Sequence, residues 1–77
     1  MQPVQMKMAR AALGLGVKEV ATLAGVSHDT ISRLEGGEAL KPATLEKVRA
    51  ALESAGVEFI AENGGGAGVR LRKPAPD

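Results

Sequence analysis

Glycine cuts the apolar periodicity of this chain into short pieces, and that punctuation limits the possible folds more than any other feature. Gly14 and Gly16, Gly25, the pair Gly36-Gly37, and Gly56 each stand where a repeat of apolar residues at three- and four-residue steps gives out. Glycine takes the left-handed conformation of a helix C-terminus at little cost, so residues 3–56 are predicted to form four short helices. The first covers 3–13, opened by Pro3, with Val4, Met8, Ala11, Ala12 and Leu15 as its core-facing stripe. The second covers 17–24, with Val20, Ala21 and Ala24 inward and Lys18, Glu19 and Thr22 outward. After Gly25, Val26 reads as a buried anchor, and Ser27 offers the hydroxyl that caps a third helix over 28–35, whose inward residues are Ile31 and Leu34. Past a loop through Pro42, Thr44 is expected to cap a fourth helix with Leu45, Val48, Leu52 and Ala55 inward, closed by Gly56.

Periodicity then changes. Residues 57–60 and 69–72 alternate like strands, joined by the glycine-rich run from Ala61 to Gly68, and 73–77 read as a frayed tail. A lone two-stranded hairpin is marginal in water. Val57, Phe59, Ile60, Val69 and Leu71 therefore either pack on the helices or pair with the same strands of a second chain, as a dimerisation element.

With 77 residues the chain is one small domain, read as a helical unit over 1–56, a strand pair over 57–72 and the tail. It has no cysteine, so neither a disulfide nor a thiolate metal site supports it, and a cytoplasmic home is expected. No apolar run approaches the ~20 residues that span a bilayer, and the N-terminus lacks a signal pattern. The net charge of +1 announces no partner in bulk, which leaves the decision to the distribution of side chains.

Two short helices joined at a sharp turn form the unit that lets one helix enter the major groove of DNA, a groove of about 12 Å that accepts a helix of similar diameter. The outward side chains of 27–33 suit that role. Ser27 offers a hydroxyl and helix N-terminal N–H groups to phosphate, Arg33 can donate to guanine or phosphate, and His28, Thr30 and Ser32 can hydrogen-bond bases or backbone. Asp29 cannot donate: it either accepts from a cytosine amino group or repels the backbone. Lys41, Lys47 and Arg49 are either a solvated face or phosphate contacts, and Arg70 and Arg72 either protect a strand edge or touch DNA.

Over residues 6–56, the run Val17-Lys18-Glu19-Val20-Ala21-Thr22-Leu23-Ala24-Gly25-Val26-Ser27 followed by Thr30-Ile31-Ser32-Arg33-Leu34-Glu35-Gly36-Gly37 resembles the lambda-repressor-like, Cro/XRE-type helix-turn-helix regulators of bacteria and phages. The resemblance implies a mainly α, four-helix DNA-binding domain with a C-terminal β-hairpin or dimerisation strands, in which the helix from 27 to 35 reads double-stranded DNA. It implies a homodimer on a palindromic operator, with recognition helices roughly 34 Å apart. It also implies that Arg10 and Glu35 form a structural pair tying the first helix to the third. Val17 and Lys18, opening the second helix, join the DNA-facing set, although Val17 departs from the usual polar residue and has only its backbone N–H to give.

Other chemistries find little support. Ser27, His28 and Asp29 carry the letters of a hydrolase triad, but consecutive helical side chains point about 100° apart and form no relay. The single histidine cannot assemble a zinc site alone, and the Gly64–Gly68 run lacks the ending of a phosphate loop. Met1, Met6 and Met8 read as a start residue and core filler. No catalysis, metal or cofactor is expected. The rival reading is a helix-turn-helix protein-interaction module, an antitoxin or antiactivator with weak or no DNA binding, motivated by Val17, Asp29 and the near-neutral charge.

Overall fold

A computed structural model describes residues 1–72, so the expectation for the tail over 73–77 lies outside the described residues. The elements are α1 (Pro3–Leu13), α2 (Val17–Ala24), α3 (His28–Glu35), α4 (Pro42–Ala55), β1 (Val57–Ile60) and β2 (Gly68–Leu71). This is a mainly α helix-turn-helix architecture with an appended two-stranded antiparallel sheet. The core is small and aliphatic: Met6, Ala9, Val20, Ala21, Ala24, Ile31, Leu34, Val48, Leu52 and Val57 are buried and form one cluster. Each large member removed from water contributes about 1.5–3 kcal/mol.

Helix α1 buries a different face from the expected one. Met6 and Ala9 are fully buried and Leu13 packs against the core, whereas Val4 is 48% exposed, Met8 38% exposed, and Ala11 and Ala12 face solvent. Two overlapping stripes at helical spacing exist on α1, and the one at 6, 9 and 13 faces the core, with Gln5 inward beside it. Leu15 follows Gly14 in the loop and packs against the core from there.

Helix α4 begins three residues earlier than a Thr44 cap requires. Lys41 occupies the N-cap and Pro42 the first helical position, where a missing N–H and a fixed φ cost nothing. The Thr44 N–H donates to the Lys41 carbonyl at 3.0 Å. Ala55 is exposed, and Ala51 packs against the core instead.

The hairpin packs on α1 and α4 of its own chain. Its register pairs Val57 with Leu71, Glu58 with Arg70, Phe59 with Val69 and Ile60 with Gly68. Val57 is fully buried, and Phe59 and Val69 pack against the helical core, while Leu71 remains 57% exposed. The second strand starts one residue before the expected 69, at Gly68, which pairs with Ile60, and a single side chain reaches both residues of that end. Gln5, 4% exposed, accepts the Gln2 N–H on Oε1 at 2.7 Å and donates from Nε2 to the carbonyls of Ile60 and Gly68, each at 3.0 Å. One carboxamide thereby caps α1 and clamps the loop end of the hairpin to it.

Candidate nucleic-acid interface

The turn between α2 and α3 is set by backbone chemistry. Gly25 has φ +69°, and its N–H and that of Val26 fold back on the α2 carbonyls, Val26 to Ala21 at 3.0 Å. From α4, the Lys47 ammonium donates to the Gly25 carbonyl at 3.4 Å. Ser27 then caps α3: its Oγ accepts the Thr30 N–H at 3.1 Å and lies 2.9 Å from the Thr30 hydroxyl. The Ser27 hydroxyl is thus engaged with Thr30.

Ile31 and Leu34 are buried, which fixes the roll of α3 and turns Ser27, His28, Asp29, Ser32 and Arg33 to solvent, with Thr30 half-buried at the margin. A bidentate ion pair fixes its tilt. Arg10 Nε donates to Glu35 Oε2 at 2.8 Å and Nη2 to Oε1 at 3.0 Å, while Nη1 reaches the Leu15 carbonyl at 3.4 Å. The hydrogen bonds to Glu35, with its charge, hold the Arg10 guanidinium above its ordinary pKa against the opposing effect of burial.

Between the last turn of α3 and the start of α4 lies an open groove of about 420 Å³ lined by Thr30, Arg33, Ala39, Leu40, Lys41 and Thr44. Lys41 and the Thr44 hydroxyl on its α4 side suit the oxygens of a phosphodiester, whereas Arg33 on the opposite wall is paired with Glu38 and the Thr30 hydroxyl lies against Ser27. Lys41 is exposed and has no side-chain hydrogen bond or ion pair among the described residues. Lys47 and Arg49 are otherwise engaged, the first with Gly25 and the second with Glu53 at 3.4 Å.

At the front of α2, Lys18 is exposed, but Val17 is half-buried and packs against the core, so its side chain serves the fold. The strand arginines are likewise occupied: Arg70 pairs with Glu58 across the hairpin at 2.8 Å, and Arg72 donates to the Glu53 carbonyl at the end of α4. Among the described residues no group of three metal-ligating side chains comes together, and no helix is long and apolar enough to cross a membrane.

Three contributors escaped the sequence reading. The apolar pattern assigns Gln5 no role, and it offers Thr44 only as a cap. The third, Glu38, ion-pairs with Arg33 Nε. The signal for it is a carboxylate placed immediately after a glycine pair that ends a helix whose last turn carries an arginine.

Compared with protein families, residues 4–58 match the family described as Helix-turn-helix domain. The match covers well over half of the chain, and the chain belongs to that family, a class of DNA-binding modules found in regulators. A comparison with curated proteins finds no match.

Proposed function

We propose that this protein is a Cro/XRE-type transcriptional regulator that binds double-stranded DNA sequence-specifically, with α3 in the major groove. The observation that carries the reading is the division of labour on α3. Its inner face is locked by Ile31, Leu34 and the Arg10–Glu35 pair, and its outer face presents Ser27, His28, Asp29, Ser32 and Arg33 to solvent, Arg33 with Glu38 beside it. Lys18 and Lys41, with the N–H groups at the start of α3, supply phosphate contacts on either side, and residues 28–33 choose the site. The protein works in the cytoplasm, without a cofactor and without catalysing a reaction.

The regulator acts as a homodimer on a palindromic operator. Val57, Phe59 and Val69 are spent largely on the chain's own core, so the strand segment offers a second copy the exposed Leu71 and the open backbone edges beside it.

Selection of bound duplexes from a random library tests the proposal. A recurring palindromic motif is the expected result, and no enrichment at low salt and micromolar protein overturns it. Arg33→Ala then reports the role of that side chain: a loss of about 1–3 kcal/mol confined to one base position marks readout of guanine. An equal loss on every sequence marks a phosphate contact instead.

One observation favours a second reading, a protein-interaction module. Asp29, Arg33 and Glu38 cluster at the outer face of α3, and their formal charges leave it acidic there. Stoichiometric capture of a protein partner that is lost with changes at 28, 29 and 33, in a chain that enriches no duplex, supports that alternative.

A further inference from the structure

The outer face of α3 carries one cation, and two carboxylates attend it. Gly36 continues the helical turn, and Gly37 takes φ +90°, a conformation that side chains other than glycine rarely adopt. The chain reverses there, and the Glu38 N–H donates to the Arg33 carbonyl at 3.0 Å. This backbone bond brings Glu38 back over the last turn of α3, where its Oε2 accepts the Arg33 Nε–H. Asp29, one turn upstream, has Oδ2 3.9 Å from Arg33 Nη1, beyond hydrogen-bond reach but close enough to act by charge.

The geometry divides the guanidinium into two ends. Nε is taken by Glu38, whereas Nη1 and Nη2 have no hydrogen-bonded partner among the described residues. Those free N–H groups form the end of the planar fork, which matches two acceptors held side by side, as on the major-groove edge of guanine. The charge is divided differently. A phosphate, unlike the uncharged edge of guanine, draws Arg33 by its formal charge as well as through the N–H groups, and two carboxylates beside one guanidinium cancel that charge attraction and reverse its sign. A directional pair of donors survives this cancellation, because hydrogen-bond geometry does not depend on the net charge of the cluster.

We infer that Glu38 is a positioning and specificity-determining residue: it fixes Arg33 by Nε so that the Nη end addresses paired base acceptors, and it suppresses attachment of Arg33 to phosphates of any sequence. This rests on the duplex-binding reading above. Glu38 itself touches no DNA under this inference and acts through Arg33.

The experiment compares the full-length wild type with Glu38→Gln and Glu38→Ala on two duplexes. One is a duplex enriched by the wild type from a random library, and the other is its scrambled counterpart of identical composition. Glu38→Gln keeps an acceptor for Nε but removes the charge. Its affinity for the scrambled duplex is expected to rise roughly five-fold at low salt, with the slope of log K against log salt steeper by about 0.9, the mark of one more phosphate neutralised. Its affinity for the enriched duplex changes less, so the ratio between the two falls. Glu38→Ala removes the acceptor too, and it is expected also to lose affinity for the enriched duplex and to shift the Arg33 Nε–H resonance. An unchanged ratio and salt slope in Glu38→Gln overturn the inference while leaving duplex binding intact. A wild type that enriches no duplex overturns both the inference and the reading beneath it.

Discussion

Two arginine–glutamate pairs hold the same chemistry in opposite surroundings. Arg10 and Glu35 join α1 to α3 through two parallel hydrogen bonds, with the Glu35 side chain only 9% exposed. Arg33 and Glu38 meet at the rim of α3 through one arginine nitrogen, with both side chains 49% exposed. The first pair spans 25 residues of sequence and positions a helix; the second spans five and positions a side chain. Ion pairs in low-dielectric surroundings resist separation because a stranded charge has no water to return to, whereas exposed pairs exchange partners at little cost. The molecule uses the first kind for architecture and has the second on the exposed face of α3, where Glu38 takes only the Nε end of Arg33.

Arg10→Ala is expected to give the largest effect. It strands the Glu35 carboxylate in a nearly closed site, and a loss of about 3 kcal/mol should appear in urea unfolding. Glu35→Ala should cost less, about 1–2 kcal/mol, because Arg10 is 28% exposed and can still reach water. Equal losses, or losses below about 0.5 kcal/mol in both, would place the inner pair in the same class as the outer one.

Next in size is Gln5, which does for the hairpin what Arg10 does for α3. Gln5→Leu leaves the Ile60 and Gly68 carbonyls without their donor and should cost about 2 kcal/mol, with faster amide exchange in both strands. Gln5→Glu should cost more at neutral pH, since a carboxylate would then face two carbonyl oxygens. Burial and that repulsion raise the native pKa of the introduced acid, so its protonation favours the folded state. Stability should therefore recover as pH falls through the raised native value toward about 4.3, the unfolded one. A deficit independent of pH would show that the carboxamide only fills space.

Helix 2, helix 3 and the turn between them were legible in the residues because several local signals agree there: glycine at the turn, serine at the cap, and apolar residues on one face only. Helix α1 was not, since its apolar positions fit two stripes and periodicity cannot rank them. The choice falls to the partner surface, where Gln5 finds two strand carbonyls more than 50 residues away. The outward face of α3 could be read from Ile31 and Leu34, but the company Arg33 keeps could not. It depends on the turn at Gly37, which places Glu38 beside a residue five positions earlier.

The smallest stability effect sharpens the comparison most. Arg33→Ala and Glu38→Ala should each change unfolding free energy by less than about 0.5 kcal/mol, because both side chains already contact water and the pair replaces hydration rather than adding to it. Raising salt should leave even that difference undetectable, whereas the Arg10→Ala deficit should persist, the inner pair being poorly screened. The same two outer substitutions are the ones expected to alter duplex selection. A loss above about 1 kcal/mol in either would mark the outer pair as part of the scaffold, and a change in DNA selection caused by it would then follow from a distorted helix rather than from a released guanidinium.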